Sequence, residues 1–174
     1  MARFGSCDHA LVRIPDLGHE GQGWVVLQTV FIAAVAIAGA AGPVWTGPLR
    51  VAAGAIGAAL IGAGWVLVFV GWHALGPSFS PNPRPVPGGR LVETGIYARV
   101  RHPIYGGVIV AGVGWGLLAA SLLALGLGVA LAAVYLLKSE REEAWLAERY
   151  PGYDAYRRRT SRFLPIRIRV RRPT

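Results

Sequence analysis

Residues 103–137 form an unbroken run without a single charged side chain, bounded by Arg101 and His102 on one side and Lys138 on the other. As one helix this run would extend roughly 50 Å at about 1.5 Å per residue, well beyond the ~30 Å hydrocarbon core of a bilayer. Two shorter apolar stretches precede it, residues 24–43 and 51–72. Each is close to the ~20 residues that one crossing requires. Charged residues make up 16% of the chain, where a soluble domain carries about 25%. These stretches therefore read as membrane spans, and the long one has to fold back on itself.

The flanking charges say how. Residues 73–103 carry Arg84, Arg90, Arg99 and Arg101 against Glu93, and the segment from Lys138 onward carries eleven of the 18 lysines and arginines. Only Arg50 lies between the first two stretches. The excess of positive charge retained on the cytoplasmic side puts both basic segments there, so an even number of crossings separates them. The expectation is an all-α integral membrane protein, a single membrane domain over 1–174. It has about four transmembrane helices (24–43, 51–72, 104–119 and 121–137). The last two form a hairpin that turns near residues 119–121, both termini are cytoplasmic, and a helical extension continues on the cytoplasmic side. The first 23 residues, with Asp8, Asp16 and Glu20, are too long and acidic for a signal-peptide leader, so the first span is expected to be retained. Small residues recur every fourth position at Gly54, Ala58 and Gly62, at Gly112 and Gly116, and at Gly126 and Ala130. Such faces let helix backbones approach closely.

Several function classes drop out. One cysteine cannot form an internal disulfide, and Cys7, His9 and His19 have no fixed ligand spacing, so no metal site is expected. The glycines from Gly112 to Gly116 lie in an apolar helix with no strand before them, which argues against a nucleotide loop. The net charge of +9 is almost all arginine, but no aromatic stacking platform accompanies it, so nucleic acid is not an expected partner. The arginines between Arg157 and Arg172 are expected to meet anionic lipid headgroups instead.

Polar chemistry is concentrated in two places. Five prolines between Pro77 and Pro87 predict an extended connection. It leads to Arg101-His102-Pro103-Ile104-Tyr105-Gly106-Gly107, where Pro103 suits the first helical turn and His102 sits near the cap. Read alone, this is an interfacial anchor. The second place is the extension after Lys138, where Glu142 and Glu143 are adjacent and point about 100° apart on a helix. Glu142 shares a face with Lys138, Trp145 and Leu146, and Glu143 shares one with Ser139 and Ala147. Pro151-Gly152 ends the helix, and Tyr153, Tyr156 and Arg159 come next at three-residue spacing. Alone, this segment is a salt-bridged helix leaving the membrane.

Together, the two segments resemble the isoprenylcysteine carboxyl methyltransferase family and its relatives among the phospholipid methyltransferases. The matching residues are Arg101, His102, Pro103, Tyr105 and Gly107 in an RHPxYxG pattern, preceded by Gly95 and Tyr97. After the hairpin come the paired Glu142 and Glu143, then Tyr153, Tyr156, Arg159, Thr160 and Pro165. The likeness covers about residues 88–165. It implies S-adenosylmethionine as cofactor, bound in a cytoplasm-facing pocket by the RHPxYxG turn and the paired glutamates, with the cofactor carboxylate near His102. It also implies a lipophilic acceptor entering from the bilayer, its carboxylate or phosphate held by Arg159 and Tyr156. Two other readings stand beside it. One is a membrane reductase related to the sterol reductases, which carry an RHPxY-like pattern and bind NADPH; the other is a non-catalytic membrane protein.

Overall fold

The computed structural model describes residues 14–41 and 43–165, the Ala41 side chain excepted. Cys7, His9 and the arginines beyond Pro165 lie outside the described residues. The described residues form five α-helices in order: α1 (Gln22–Ala38), α2 (Gly47–Leu75), α3 (Pro103–Leu118), α4 (Leu122–Arg149) and α5 (Tyr153–Arg159). Among the described residues there is no strand, only one isolated bridge between Val100 and Ser161. Proline opens α2 and α3 within their first two positions, where its missing N–H leaves no helical bond unmade.

The apolar run does fold back. α3 stops at Leu118, Ala120 adopts a left-handed backbone (φ 54°), and Ser121 starts α4 by accepting a hydrogen bond from the Ala124 N–H at 3.2 Å. The Ser121 hydroxyl also donates to the Ala38 carbonyl at 2.8 Å, fastening the turn to the end of α1.

α2 is packed inside out compared with a helix of a soluble protein. Its buried residues are Gly57, Gly64 and Gly71, while Trp65, Val66 and Phe69 are exposed. The glycines meet α3: a Cβ on Gly64 would stand 2.5 Å from the Gly107 carbonyl oxygen, and one on Gly57 would stand 2.5 Å from that of Gly114. Gly71 abuts Pro103 and Ile104. The seam therefore repeats every seven residues on both antiparallel helices, the period at which two helices stay in register with a shallow left-handed crossing. This corrects the expectation of a four-residue face. Of the positions named for it, Gly62, Gly112 and Gly126 face open space. Backbone contact inside and bulky apolar side chains outside is the arrangement that suits lipid as solvent. α2 with its trailing turn (Gly47–Ser78) and α4 are long and apolar enough to cross a membrane, with mean hydropathy of 2.1 and 2.0. α1 and α3, at 17 and 16 residues, are shorter apolar helices.

The helices stand in a curled row, α2 on α3, α3 on α4 and α4 on α1, and the two ends of the row, α1 and α2, barely touch. One end of the row is covered by polar chain. Residues 14–21, the proline-rich connection and α5 all gather there, around the start of α3 and the extension of α4. Arg141 pairs with Asp16, Arg84 donates to the His19 carbonyl at 2.8 Å, and Asn82 donates to Glu20 at 3.3 Å. His19 thus has Arg84 as its neighbour.

Candidate active site

The RHPxYxG segment enters α3 through a backbone clasp. The Arg101 N–H donates to the Ser161 carbonyl and the His102 N–H to the Arg162 carbonyl, both at 2.9 Å, and the Ser161 N–H returns a bond to the Arg99 carbonyl. The chain after α5 is thereby laid against the start of α3. Gly106 is required here, because a Cβ on it would collide with the Phe163 backbone.

Inside the clasp the paired glutamates are treated differently. Glu143 is buried, with 2% of its side chain exposed, and is surrounded by cations. Arg101 Nε donates to its Oε1 at 2.9 Å, His102 Nε2 lies 3.1 Å from the same oxygen, and Arg157 Nε is ion-paired with Oε2 at 3.1 Å without hydrogen-bond alignment. Arg101 spends its remaining reach on the carbonyls of Arg157 and Thr160. This cluster ties α3, α4 and α5 together and leaves Glu143 no open side. Glu142 faces the other way. Its side chain is 23% exposed, accepts a hydrogen bond from the Tyr105 hydroxyl at 2.7 Å, and has His102 Nδ1 at 3.8 Å. Tyr105 is itself held between the His102 ring (5.2 Å) and the Tyr135 ring (4.8 Å).

Glu142 looks into a cavity of about 380 Å³, within the ~300–1,000 Å³ usual for small-molecule sites. Tyr97, Arg101, His102, Tyr105, Tyr153 and Tyr156 contribute to its wall, and the proline-rich connection roofs it from Ser78 to Val92. Toward the helices the lining becomes apolar. Ile32, Trp65, Val68 and Val108 are shared with a second space of about 230 Å³ that reaches Leu131 and Trp115. Burial raises the pKa of Tyr97, Tyr153 and Tyr156 well above the usual phenol value. They are neutral groups at physiological pH, and two have set tasks: Tyr156 donates to the Tyr97 carbonyl at 2.8 Å and Tyr97 to the Gly71 carbonyl at 3.3 Å.

Not every residue singled out from the sequence reaches this wall. Pro103 is buried against α2, and Gly107 serves the α2–α3 seam. Gly95 is an exposed turn residue with φ 61°. Arg159, expected at the acceptor, ends α5 outside the cavity. Its guanidinium lies over the Tyr156 ring at 5.7 Å and donates to Glu93 at 2.6 Å, with over half of the side chain in solvent. The negative charge of Glu93 draws it there. Conversely, Lys138, Gln28 and Tyr150 line the cavity without having been singled out for it. Lys138 was within reach of sequence reasoning, being one turn from Glu142 and the lone lysine of the chain.

A family model described as phospholipid methyltransferase matches residues 52–152, which takes in most of α2, the connection to α3, and all of α3 and α4. The chain belongs to the phospholipid methyltransferase family. Membership implies a membrane methyltransferase, and it agrees with the resemblance carried by Arg101 to Gly107 and the glutamate pair. The matched range contains Tyr97, Arg101, His102, Tyr105, Glu142 and Glu143, whereas Gln28, Tyr156 and Arg159 fall outside it. Among curated proteins the chain is 40% identical over 76 residues to the nickel-cobalt-cadmium resistance protein NccN of Alcaligenes xylosoxydans xylosoxydans, covering 43% of this chain and 36% of that one. It is 31% identical over 122 residues to the cobalt-zinc-cadmium resistance protein CzcN of Cupriavidus metallidurans, covering 70% of this chain and 51% of the relative. The matches thus span about half or less of these relatives. Together, family and apolar helices mark a membrane-associated protein.

Proposed function

We propose that this chain transfers a methyl group from S-adenosylmethionine to a lipophilic acceptor at the cytoplasmic face of a membrane, crossing it four times with both termini inside. The observation that carries the reading is the division of the glutamate pair. Glu143 is spent on arginines, whereas Glu142 presents a carboxylate to a cavity large enough for a small molecule. A carboxylate held half-buried calls for a cation, and the cofactor has two, its sulfonium and its α-ammonium. The aromatic and proline-rich wall suits a nucleoside.

When bound, the cofactor supplies an electrophilic methyl group for in-line displacement. The protein's part is then alignment and exclusion of water. Glu142, steadied by Tyr105, orients the cationic end. Tyr156 and Tyr97 tie α5 to the end of α2 through backbone carbonyls, and Tyr150 holds the roof by donating to the Gly89 carbonyl. The apolar space lined by Ile32, Trp65 and Leu131 receives the acceptor's hydrocarbon, admitted from the bilayer where α1 and α2 part. A carboxylate on an isoprenoid-like or other lipid is the acceptor we favour. Arg159 is not assigned to it, since its guanidinium is engaged at the surface. The metal resistance in the relatives' names is said of those proteins and is not carried over, because the matches span only 36% and 51% of them.

Purified protein incubated with radiolabelled S-adenosylmethionine and a lipid extract of the source cells should yield a labelled lipid. It should also gain thermal stability from S-adenosylmethionine but not from NADPH. Stabilisation by NADPH alone would replace this reading with a reductase. Topology has its own test. Reporter tags at both termini should be cytoplasmic, and a cysteine at the exposed Leu122 should be labelled from outside. Termini on opposite sides would refute the four crossings.

A further inference from the structure

We propose that Lys138 is a positioning residue, the latch that holds α1 and the proline-rich connection together across the open side of the helix row. Lys138 is the chain's only lysine and has no solvent exposure. Its ammonium donates to Gln28 Oε1 on α1 at 2.6 Å and to the Pro81 carbonyl in the connection at 2.9 Å, and lies 5.0 Å from the Tyr105 ring of α3. One charge on α4 thus reaches three other elements. Two of them, Gln28 and Pro81, belong to the two sides of the opening where α1 and α2 fail to pack.

The other ties across this edge, Asn82 to Glu20 and Arg84 to the His19 carbonyl, are exposed. Links of that kind are weak in water. The Lys138 bonds are charge-assisted and part-buried, with the ammonium itself out of solvent, so they set the width of the opening. A buried ammonium is expensive, and here that cost is offset only because it donates to both oxygens. The cation is therefore retained for what it holds in place. It holds two things: the roof of the cavity through Pro81, and through the Tyr105 ring the hydroxyl that steadies Glu142.

The structural arm of the test does not depend on the methyl-transfer reading, whereas the binding arm rests on it. With Cys7 replaced by serine, spin labels at the exposed positions Val26 and Pro87 report the α1-to-connection distance in proteoliposomes. Lys138→Met should lengthen and broaden that distance, Gln28→Leu should do so from the other side, and Lys138→Arg, which can donate to the same two oxygens, should restore it. Distributions for Lys138→Met and Gln28→Leu that superimpose on the parent's would overturn the latch. In the binding arm, Lys138→Met should lower the unliganded melting temperature by a few degrees, because the Gln28 and Pro81 oxygens lose their donor, and should also lose roughly tenfold in affinity for S-adenosylhomocysteine, both recovering in Lys138→Arg. A lowered melting temperature with unchanged affinity would reduce Lys138 to a packing role. If the parent itself does not bind S-adenosylhomocysteine, the methyl-transfer reading fails and the distances alone decide the latch.

Discussion

Glu143→Gln should lower the melting temperature of the detergent-solubilised protein by roughly 10 °C, since breaking a buried ion pair from one side costs about 3–5 kcal/mol and each kcal/mol is worth about 2–4 °C at this size. The reason lies in the groups left behind. Arg101, with 8% of its side chain exposed, would face a neutral amide, and His102 would lose the anion at its Nε2. The clasp between residues 99–102 and 161–162 would loosen with them. Arg157→Gln is the control, because that side chain is half in solvent and its pairing should be worth no more than about 1 kcal/mol. Equal stability of Glu143→Gln and the parent would mean that the arginines have other anions to turn to, and the cluster would lose its structural assignment.

The neighbouring substitution should do the opposite. Glu142→Gln keeps an oxygen able to accept from the Tyr105 hydroxyl, so the unliganded protein should melt close to the parent. The substitution removes the charge facing the cavity, which the Lys138 ammonium one turn away also feels. A charge-assisted contact of about 1.5–3 kcal/mol corresponds to roughly ten- to a hundredfold weaker binding of S-adenosylmethionine, measured by calorimetry or thermal shift. Adjacent residues would thus divide cleanly, one reporting in stability and the other in affinity. A Glu142→Gln protein that still takes full stabilisation from S-adenosylmethionine would remove this carboxylate from the cofactor.

That division shows how far the sequence could be read. Adjacency alone says that Glu142 and Glu143 cannot both face one site. Which of them does depends on the rotation of α4, and this is set by tertiary contacts, Tyr135 on Tyr105 and Lys138 on Gln28, that no periodicity announces. The hairpin was legible because its cause is local: charge at both ends, a length too great for one crossing, and a serine at the turn able to cap the returning helix. The glycine seam was visible but misassigned. Small residues occur on α2 at four-residue intervals (Gly54, Ala58, Gly62) and glycines at seven-residue intervals (Gly57, Gly64, Gly71), and only the partner helix selects between them. Arg159 does continue the three-residue spacing from Tyr153 and Tyr156. A carboxylate 66 positions away along the chain, Glu93, nevertheless determines where its guanidinium goes.

The fastening of the turn to α1 has a mechanical consequence. At that end the Ser121 hydroxyl is bonded to the Ala38 carbonyl and the Val44 N–H to the Ala120 carbonyl. The α2–α3 pair, with backbones in contact at three glycines, can bend little within itself. Any separation of α1 from α2 must therefore pivot about the far turn, so displacement grows along the helices and is greatest beside Glu142. A small rotation at the turn thus becomes the widest movement where, under the proposed function, a long-chain acceptor would slide in.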